Sequence, residues 1–206
     1  MKWAVDKEEH QYFDRELLRG YSFENGFVDA GAYVGDTVDS FFRHFPGWNG
    51  NYYCFEAEAD IFHELTENIK KPGKAERITA YNYAVWKTEG RLKFVSENAG
   101  SYIGEAEGTE VPCCSLDKIL EGKPVSFIKM DIEGAEKEAL LGAEEMIKRN
   151  KPVLTICIYH KREDFFEIPL LIEEMVKHEY AFYIRQYRYG QSETVLYALP
   201  ESRKKK

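Results

Sequence analysis

Short apolar runs alternate with longer amphipathic segments along most of this sequence. The run "GFVDAG" precedes "DTVDSFFRHF", whose apolar residues recur at helical spacing, and "NYYCFEA" precedes "DIFHELTENIKK" in the same way. Apolar runs of about four to eight residues are typical of buried strands, and longer segments with a period of about 3.6 residues are typical of helices. The pattern therefore predicts successive βα units and a parallel sheet with right-handed crossovers.

The alternation continues to the end of the sequence with one interruption. A strand is predicted at "RITAYNYAVW", and "GRLKFVS" and "TEVPCCS" then predict a strand-rich insertion around the loop "ENAGSYIGEAEG". After it we expect the helix "SLDKILEG", the strand "VSFIKMD", the helix "AEKEALLGAEEMIKR", the strand "PVLTICIYH" and the helix "DFFEIPLLIEEMVKH". The last two runs, "YAFYIRQY" and "ETVLYALP", predict an antiparallel hairpin.

A short helix is predicted before the first strand. In "DKEEHQYFDRELLRG" Asp6 is a capping residue with an acid three positions later, and Gly20 is a typical helix terminator. We therefore expect an N-terminal helical extension over residues 1–20 and a doubly wound, mostly parallel α/β domain over residues 21–200. The remaining residues, 201–206, are expected to form a solvated basic tail.

Composition and charge narrow the range of partners. The formal net charge is −8, which argues against a nucleic-acid partner, because such binding relies on Lys and Arg neutralising phosphates. No apolar stretch reaches membrane-spanning length, and the first residues show no signal-peptide pattern. All four cysteines lie in apolar, strand-like runs and are expected to be reduced. We therefore expect a cytoplasmic protein that acts on a small molecule, with no nucleic-acid or membrane partner.

Polar residues stand where the predicted strands end, at the edge where open α/β sheets bind ligands. These strand-end residues are Asp29 with Gly31, Glu56, Asn82 with Ala84, Asp131, His160 and Arg185. A row of acids suits a cationic ligand that carries hydroxyl groups better than it suits a pyrophosphate. S-adenosylmethionine is such a ligand, because its sulfonium and amino groups are positive and its ribose offers two hydroxyls.

The stretch "FVDAGAYVGDT" predicts the turn that would hold this ligand. Only Gly31 and Gly35 of a dinucleotide-type G-x-G-x-x-G pattern are present, and Asp29 would repel a phosphate. Glu56, about twenty residues further on, is placed to accept both ribose hydroxyls. Backbone N–H groups at Asp36 and Thr37 could hold the methionine carboxylate, although these two residues could equally serve only to stabilise the first helical turn.

Three stretches together resemble the FkbM family of S-adenosylmethionine-dependent methyltransferases: "FVDAGAYVGDT", "YCFEAEADIF" and "FIKMDIEGAE". The later stretches "IYHKREDFFEIPLLI" and "ETVLYA" are also similar to that family, so that the resemblance extends from about residue 26 to 199. It implies the Rossmann-like class I methyltransferase fold and S-adenosylmethionine as cofactor. It also implies methyl transfer to a hydroxyl oxygen, in relatives often on a sugar or a natural-product scaffold.

The candidate site residues fall into three groups. Cofactor binding is assigned to Asp29, Gly31, Gly35, Asp36, Thr37, Glu56, Asn82, Ala84 and Asp131. Acceptor binding is assigned to Ser101 and Tyr102, on a lid that Gly100, Gly104 and Gly108 would let move, and to Glu133 and Arg185.

His160, oriented by Asp131, is the candidate base for removing the acceptor proton. The same pair could instead hold a divalent ion with Glu133 as third ligand. His160 could also be structural, bonded to a backbone carbonyl beneath the following helix.

Two other functions remain open at this point. A non-catalytic module that binds S-adenosylmethionine would need the same glycines and the same acids, because these serve binding and not chemistry. An NAD-dependent oxidoreductase on the same sheet is disfavoured by the missing third glycine and by Asp29. The sequence predicts neither a particular acceptor nor an oligomeric state.

Overall fold

A computed structural model describes residues 11–70, 75–97, 100–103, 108–188 and 192–204 of the 206-residue chain. In chain order the strands are β1 (Gly26–Ala30), β2 (Tyr52–Phe55), β3 (Ile78–Tyr81), β4 (Ala84–Val85), β5 (Gly90–Glu97), β6 (Gly100–Ile103), β7 (Thr109–Cys114), β8 (Val125–Met130), β9 (Val153–Cys157), β10 (Tyr180–Gln186) and β11 (Thr194–Pro200). The helices are α1 (Asp36–His44), α2 (Ala59–Ile69), α3 (Leu116–Ile119), α4 (Glu136–Leu141), α5 (Glu144–Asn150) and α6 (Asp164–Val176). Short 3₁₀ turns lie at Ala75–Arg77 and Glu201–Arg203.

Seven strands form the main sheet in the order β10-β11-β9-β8-β1-β2-β3. The pairings from β9 to β3 are parallel, and β11 runs antiparallel to both β9 and β10. One face packs against α1 and α2, and the other packs against α3 to α6. The prediction of a doubly wound, mostly parallel sheet that ends in an antiparallel hairpin is therefore confirmed.

A second, smaller sheet has the order β4-β7-β5-β6 and corresponds to the predicted strand-rich insertion. The strand predicted at "RITAYNYAVW" is divided between the two sheets, because β3 ends at Tyr81 and β4 begins at Ala84. Between them, the Asn82 side chain donates to the carbonyl oxygens of Glu56 and Ala57, at 2.9 and 3.1 Å. These bonds hold the chain at the end of β2 and stop β3 from continuing.

The helix predicted at "AEKEALLGAEEMIKR" is likewise divided. A Cβ atom at Gly142 would lie 2.1 Å from the carbonyl oxygen of Trp86, so the backbone passes too close for any side chain. The carboxylate of Asp117 accepts the backbone N–H groups of Glu145 and Met146, at 3.1 and 2.7 Å. Contacts with distant parts of the chain thus separate α4 from α5.

Residues 11–20 form turns and not the predicted helix, while residues 1–10 lie outside the described ranges. Asp14 stands in the middle of the predicted helix, and its carboxylate accepts the backbone N–H groups of Glu16 and Leu17 at 2.8 and 3.0 Å. Bonds of this kind favour a single turn over a continuing helix. The neighbouring Phe13 is buried in an aromatic cluster with Phe27, Phe41 and Phe127, so this segment shares the core of the main sheet.

The expectation of a solvated basic tail does not hold for Arg203, which is half-buried. Arg203 donates to the carbonyl oxygens of Lys151 and Asn150 at 2.6 Å each, and to that of Ser22 at 3.3 Å. Because Asn150 is the last residue of α5, Arg203 satisfies carbonyl groups that the end of this helix leaves free. Among the described residues, no helix combines the length and the apolarity that a membrane-spanning segment requires.

We predict that Arg203→Ala destabilises the fold by about 1.5–3 kcal/mol, because it removes charged hydrogen bonds to carbonyl groups at a half-buried position. Urea unfolding monitored by circular dichroism measures this loss. Lys204→Ala is the matched control, since its side chain is exposed, and we expect a change within about 0.5 kcal/mol. Equal effects of the two substitutions would show that Arg203 is a solvated residue after all.

Candidate active site

The strand order brings four of the predicted site residues to one edge of the main sheet. β9, β8, β1 and β2 are consecutive and parallel, so their carboxyl ends lie side by side. Gly31 directly follows β1, Glu56 follows β2, Asp131 follows β8, and His160 comes shortly after β9. This is the edge at which open α/β sheets bind their ligands.

The turn after β1 requires glycine at position 31. Gly31 has a φ of +76°, and a Cβ atom there would lie 1.9 Å from the carbonyl oxygen of Asp131. The backbone N–H groups of Gly31 and Ala32 both donate to the carbonyl oxygen of Phe55, at 3.0 Å. The turn is therefore fixed to the strand on each side, and its shape depends on the absence of a side chain.

The end of this turn begins α1 without a side-chain cap. Gly35 occupies the N-cap position with a φ of 92° and makes no side-chain hydrogen bond to the helix. Asp36 is exposed in the first turn, and Thr37 is buried. The backbone N–H groups of an uncapped helix start favour an anionic group such as a carboxylate, and the role expected for these two residues stays a prediction.

Glu56 is buried at the end of β2, and the backbone holds its carboxylate in place. Its two oxygens accept the N–H groups of Tyr33, at 3.0 Å, and of Glu58, at 2.9 Å. Burial raises the pKa of Glu56, against the lowering effect of these hydrogen bonds. A carboxylate can accept about four hydrogen bonds, so Glu56 retains the capacity to receive two ligand hydroxyls.

Tyr33 was not identified from the sequence, although it lies inside the glycine turn. Its φ of 48° is unusual for a residue with a side chain, and the side chain is 55% exposed. Left-handed backbone at a non-glycine residue is often found at functional sites. Its bond to Glu56 links the glycine turn to the acid at the end of the next strand.

Asn82 and Ala84 are less available than the sequence predicts. The Asn82 amide group is engaged with two carbonyl groups at the end of β2, as described above. Ala84 is buried in a small apolar cluster with Val111 and Cys113. Both residues shape the loop beside Glu56, and a direct contact of Ala84 with a ligand does not fit its position.

Asp29 is also placed differently from the prediction. Its side chain has no exposed surface and contacts Lys129, which is 2% exposed, at an Oδ1–Nζ distance of 3.0 Å. The hydroxyl of Tyr52 donates to the other carboxylate oxygen at 2.8 Å. The direct contact with a cationic ligand expected for Asp29 does not fit this burial, because Lys129 already supplies the opposite charge.

Lys129 connects this ion pair to the glycine turn. Its ammonium group donates to the carbonyl oxygen of Gly31 at 2.6 Å, and it lies 5.1 Å from the ring centroid of Tyr12. Burial alone would lower the pKa of Lys129, but the carboxylates of Asp29 and Asp131 outweigh burial and raise it. The lysine therefore stays protonated beneath the candidate site.

Asp131 reaches the site with both oxygens engaged. The hydroxyl of Tyr12 donates to Oδ2 at 2.7 Å, and that of Tyr159 donates to Oδ1 at 3.3 Å. Burial works to raise the pKa of Asp131, but Lys129, His160 and the Tyr12 hydrogen bond together hold it below its usual value. Asp131 is therefore ionised at neutral pH.

His160 lies beside Asp131, as predicted, and it contacts two further carboxylates. Its Nε2 atom is 3.3 Å from Asp131 Oδ1 and 3.5 Å from Glu133 Oε2, and its Nδ1 atom is 2.9 Å from Glu136 Oε1. Burial lowers the pKa of the imidazole, but the three carboxylates, with Glu136 first, raise it to about 8. Because these groups are acids, the structural alternative of a bond to a backbone carbonyl does not describe this histidine.

Glu133 and Arg185, the two predicted acceptor-binding residues whose side chains are described, make different contacts. Glu133 is half-exposed beside His160 and has a φ of 55°. Arg185 instead donates to Asp14 Oδ2 at 3.3 Å, which ties β10 to the N-terminal segment. Ser101 and Tyr102 lie on β6, whose side chains are outside the described part of the structure together with residue 104 of the predicted lid.

The sequence of the chain matches a known protein family. The family described as the methyltransferase FkbM domain matches residues 29–189. The chain belongs to the FkbM methyltransferase family. This confirms the resemblance predicted from the sequence, and it disfavours the oxidoreductase alternative. No curated protein matches the sequence significantly.

Solved structures agree on the class I methyltransferase fold. The FkbM methyltransferase from Methylobacillus flagellatus KT superposes with a TM-score of 0.80 at 24% identity, covering 94% of this chain and 48% of that one. This chain thus spans about half the length of that protein. A precorrin-6y C5,15-methyltransferase from Geobacter metallireducens GS-15 gives a TM-score of 0.56 at 12% identity, with 98% and 93% coverage. Fibrillarin from Aeropyrum pernix, solved with natively bound S-adenosyl-L-methionine, gives 0.58 at 10% identity, with 95% and 76% coverage.

Three residues of this FkbM site are not predicted from the sequence: the buried Lys129 and Glu136, and the half-buried Tyr12. Lys129 had a visible signal, because it is a charged residue within the apolar strand "VSFIKM". Glu136 is one of several acids at the start of a helix, and its position in the sequence does not distinguish it from the others. Tyr12 lies outside the residues that match the family, and nothing in the local pattern indicates that it reaches Asp131.

We predict that Lys129→Met lowers the free energy of unfolding by about 3–5 kcal/mol, because it leaves Asp29 as a buried charge without its partner. The double variant Asp29→Asn with Lys129→Met should recover part of that loss, since it removes both charges. Lys118→Met, at an exposed position, is the control and should change stability little. Denaturant unfolding of the four proteins tests the prediction, and a double variant no more stable than Lys129→Met alone would contradict it.

Proposed function

We propose that this FkbM-family chain is an S-adenosylmethionine-dependent methyltransferase that methylates a hydroxyl oxygen of a small molecule. The observation that carries the proposal is the acidic edge of the main sheet. Glu56 offers free acceptor capacity at the end of β2, and the ionised Asp131 stands beside His160 at the ends of two neighbouring strands. The family membership supports methyl transfer, and the acidic edge supports a cationic methyl donor.

The residues present fit this cofactor at both of its polar ends. The Glu56 carboxylate is held by two backbone N–H groups in a fixed orientation and can still accept the ribose hydroxyls. The uncapped start of α1, at Asp36 and Thr37, provides N–H groups for the methionine carboxylate. Asp29 serves this arrangement indirectly, because its partner Lys129 binds the carbonyl group of the glycine turn.

Asp131 and His160 are the groups placed to activate the acceptor. When bound, S-adenosylmethionine supplies an electrophilic methyl group on a positively charged sulfur. A hydroxyl is a poor nucleophile until its proton is removed or its oxygen is polarised. Asp131 and His160 follow the ends of adjacent strands, and His160 Nε2 lies 3.3 Å from Asp131 Oδ1. Both side chains can therefore contact the same acceptor hydroxyl.

A small-molecule acceptor is supported by the charge of the chain. The formal net charge of −8 disfavours a phosphate backbone as the substrate. A sugar or a natural-product scaffold is the acceptor class that the family resemblance favours. We further propose that the protein needs neither a nucleic-acid partner nor a membrane and that it acts in the cytoplasm.

The direct test has two steps. Mass spectrometry of the purified protein, released under denaturing conditions, should detect co-purified S-adenosylmethionine or its demethylated product. Incubation with methyl-labelled cofactor and a fractionated metabolite extract should then label a hydroxylated small molecule. Label found in RNA and in no small molecule would contradict the proposed acceptor, and binding without transfer to any acceptor would favour the non-catalytic module.

We predict that Glu56→Gln weakens S-adenosylmethionine binding by at least about tenfold, because charged hydrogen bonds contribute about 1.5–3 kcal/mol each. The amide keeps one oxygen as an acceptor for the neighbouring N–H groups, so the fold should be largely preserved. Glu64→Gln, an exposed position on α2, is the matched control. Isothermal titration calorimetry gives the three affinities, and an unchanged value for Glu56→Gln would remove Glu56 from the binding site.

We also predict that His160→Ala lowers the rate of methyl transfer by about 10²–10⁴ while leaving cofactor affinity nearly unchanged. His178→Ala is the control, because His178 is a highly exposed histidine near the end of α6. Single-turnover rates with the identified acceptor, together with calorimetric cofactor affinities, separate the two effects. A variant that transfers the methyl group at the native rate would show that His160 takes no part in activating the hydroxyl.

A further inference from the structure

Three side chains at the sheet edge have the chemistry and the spacing of metal ligands. Asp131, Glu136 and His160 each place one donor atom within 4.8 Å of the donor atoms of the other two. Ligand atoms that surround a cation at about 2.0–2.2 Å lie roughly 3–4 Å from one another. Small side-chain rotations would therefore bring the three donors to coordination distance. The sequence predicts Glu133 as the third ligand, whereas the structure brings Glu136 to that place.

Glu136 provides a second and independent indication. Its side chain is completely buried, and Oε1 accepts the backbone N–H group of Ile132 at 2.9 Å. Its other oxygen, Oε2, is buried without a hydrogen-bond partner among the described residues. A buried carboxylate oxygen without a partner is costly, and a cation bound there would remove that cost.

The local charges are also unbalanced. Three carboxylates, those of Asp131, Glu133 and Glu136, lie within 3.5 Å of the His160 ring. The buried ammonium group of Lys129 is already paired with Asp29 and bound to Gly31. One imidazolium, together with an ammonium group that Asp29 shares with Asp131, cannot balance all of these carboxylates, so this cluster attracts a further positive charge.

We infer that Asp131, Glu136 and His160 form a binding site for a divalent transition-metal ion such as Mn²⁺. Two carboxylates with one imidazole suit Mn²⁺ better than a soft ion that prefers thiolates, because carboxylate ligands favour hard cations. Asp131 is 23% exposed and Glu133 is 48% exposed, so solvent reaches the cluster from this side. The half-exposed Glu133 can complete the coordination together with water.

The ion would have a role in the proposed reaction. Bound next to the acceptor, a divalent cation lowers the pKa of a hydroxyl and favours its deprotonated form. This role rests on the proposed function, whereas binding of the ion rests only on the three side chains. The two statements can therefore be tested separately.

Binding is tested on the full chain after dialysis against a chelator, with Mn²⁺ alone as the probe. Electron paramagnetic resonance of free Mn²⁺ during titration should show one ion bound per chain. Glu136→Gln and Asp131→Asn should each weaken this binding by at least about tenfold, as loss of groups at metal sites commonly does. Glu138→Gln is the matched control, because Glu138 lies on the same helix but its partly buried carboxylate pairs with Lys87 at 2.8 Å. It should bind Mn²⁺ as the native chain does.

The buried Glu136 could be needed for folding, and two further measurements address this. Circular dichroism checks the fold of each variant, and Asp131→Asn, at the partly exposed edge, should remain folded if Glu136→Gln does not. Mn²⁺ should also raise the unfolding temperature of the native chain and of Glu138→Gln, but not that of Asp131→Asn. No saturable binding to the native chain, or native affinity in folded Asp131→Asn, would overturn the site.

Activity then separates the site from the reaction. Methyl transfer that chelator abolishes and Mn²⁺ restores would support the role of the ion. Transfer at the native rate in the chelated protein would reject that role and leave the proposed function intact. Saturable Mn²⁺ binding in a protein that methylates no acceptor would support the site and reject the proposed function.

Discussion

The buried ion pair between Asp29 and Lys129 joins the two central strands of the main sheet and sets the geometry of everything at their ends. The pair is enclosed on all sides, and Tyr52 satisfies the second oxygen of the carboxylate. From this fixed position Lys129 binds the carbonyl group of Gly31 and so holds the glycine turn. A pair buried this deeply is sensitive to the loss of either partner, and the shape of the turn is linked to the stability of the core.

A second set of contacts brings the N-terminal segment into the site. Phe13 is anchored in the aromatic core, and this places the neighbouring Tyr12 against Asp131 and over Lys129. Burial raises the pKa of the Tyr12 hydroxyl well above its usual value, so that it remains a hydrogen-bond donor to the ionised carboxylate. Residues outside the part that matches the family therefore orient one of its central acids.

Negative charge is concentrated at the edge of the main sheet where the parallel strands end. Glu56 follows β2, and Asp131, Glu133 and Glu136 follow β8, so that all four acids lie at the same edge of the parallel sheet. Among the residues that the structure describes, the only buried lysine is Lys129, and it is paired with Asp29. Such an edge repels phosphates and attracts cations, which is consistent with both a sulfonium cofactor and a divalent ion. The raised pKa of His160, about 8, is a consequence of the same excess of carboxylates.

From β1 onward the sequence by itself determined the alternation of strands and helices, the parallel sheet and the final hairpin. It also determined the edge at which Glu56, Asp131 and His160 lie, because periodicity and strand ends are local properties of the chain. It did not determine the break at Gly142, which depends on the distant Trp86 backbone, or the turns at residues 11–20, where the Asp14 side chain competes with a helix. From the sequence, Asp29 is predicted to contact a ligand. In the structure its partner is instead Lys129, on the neighbouring strand. Only the tertiary structure decides which charges face each other across strands, and therefore which acids remain available to a ligand.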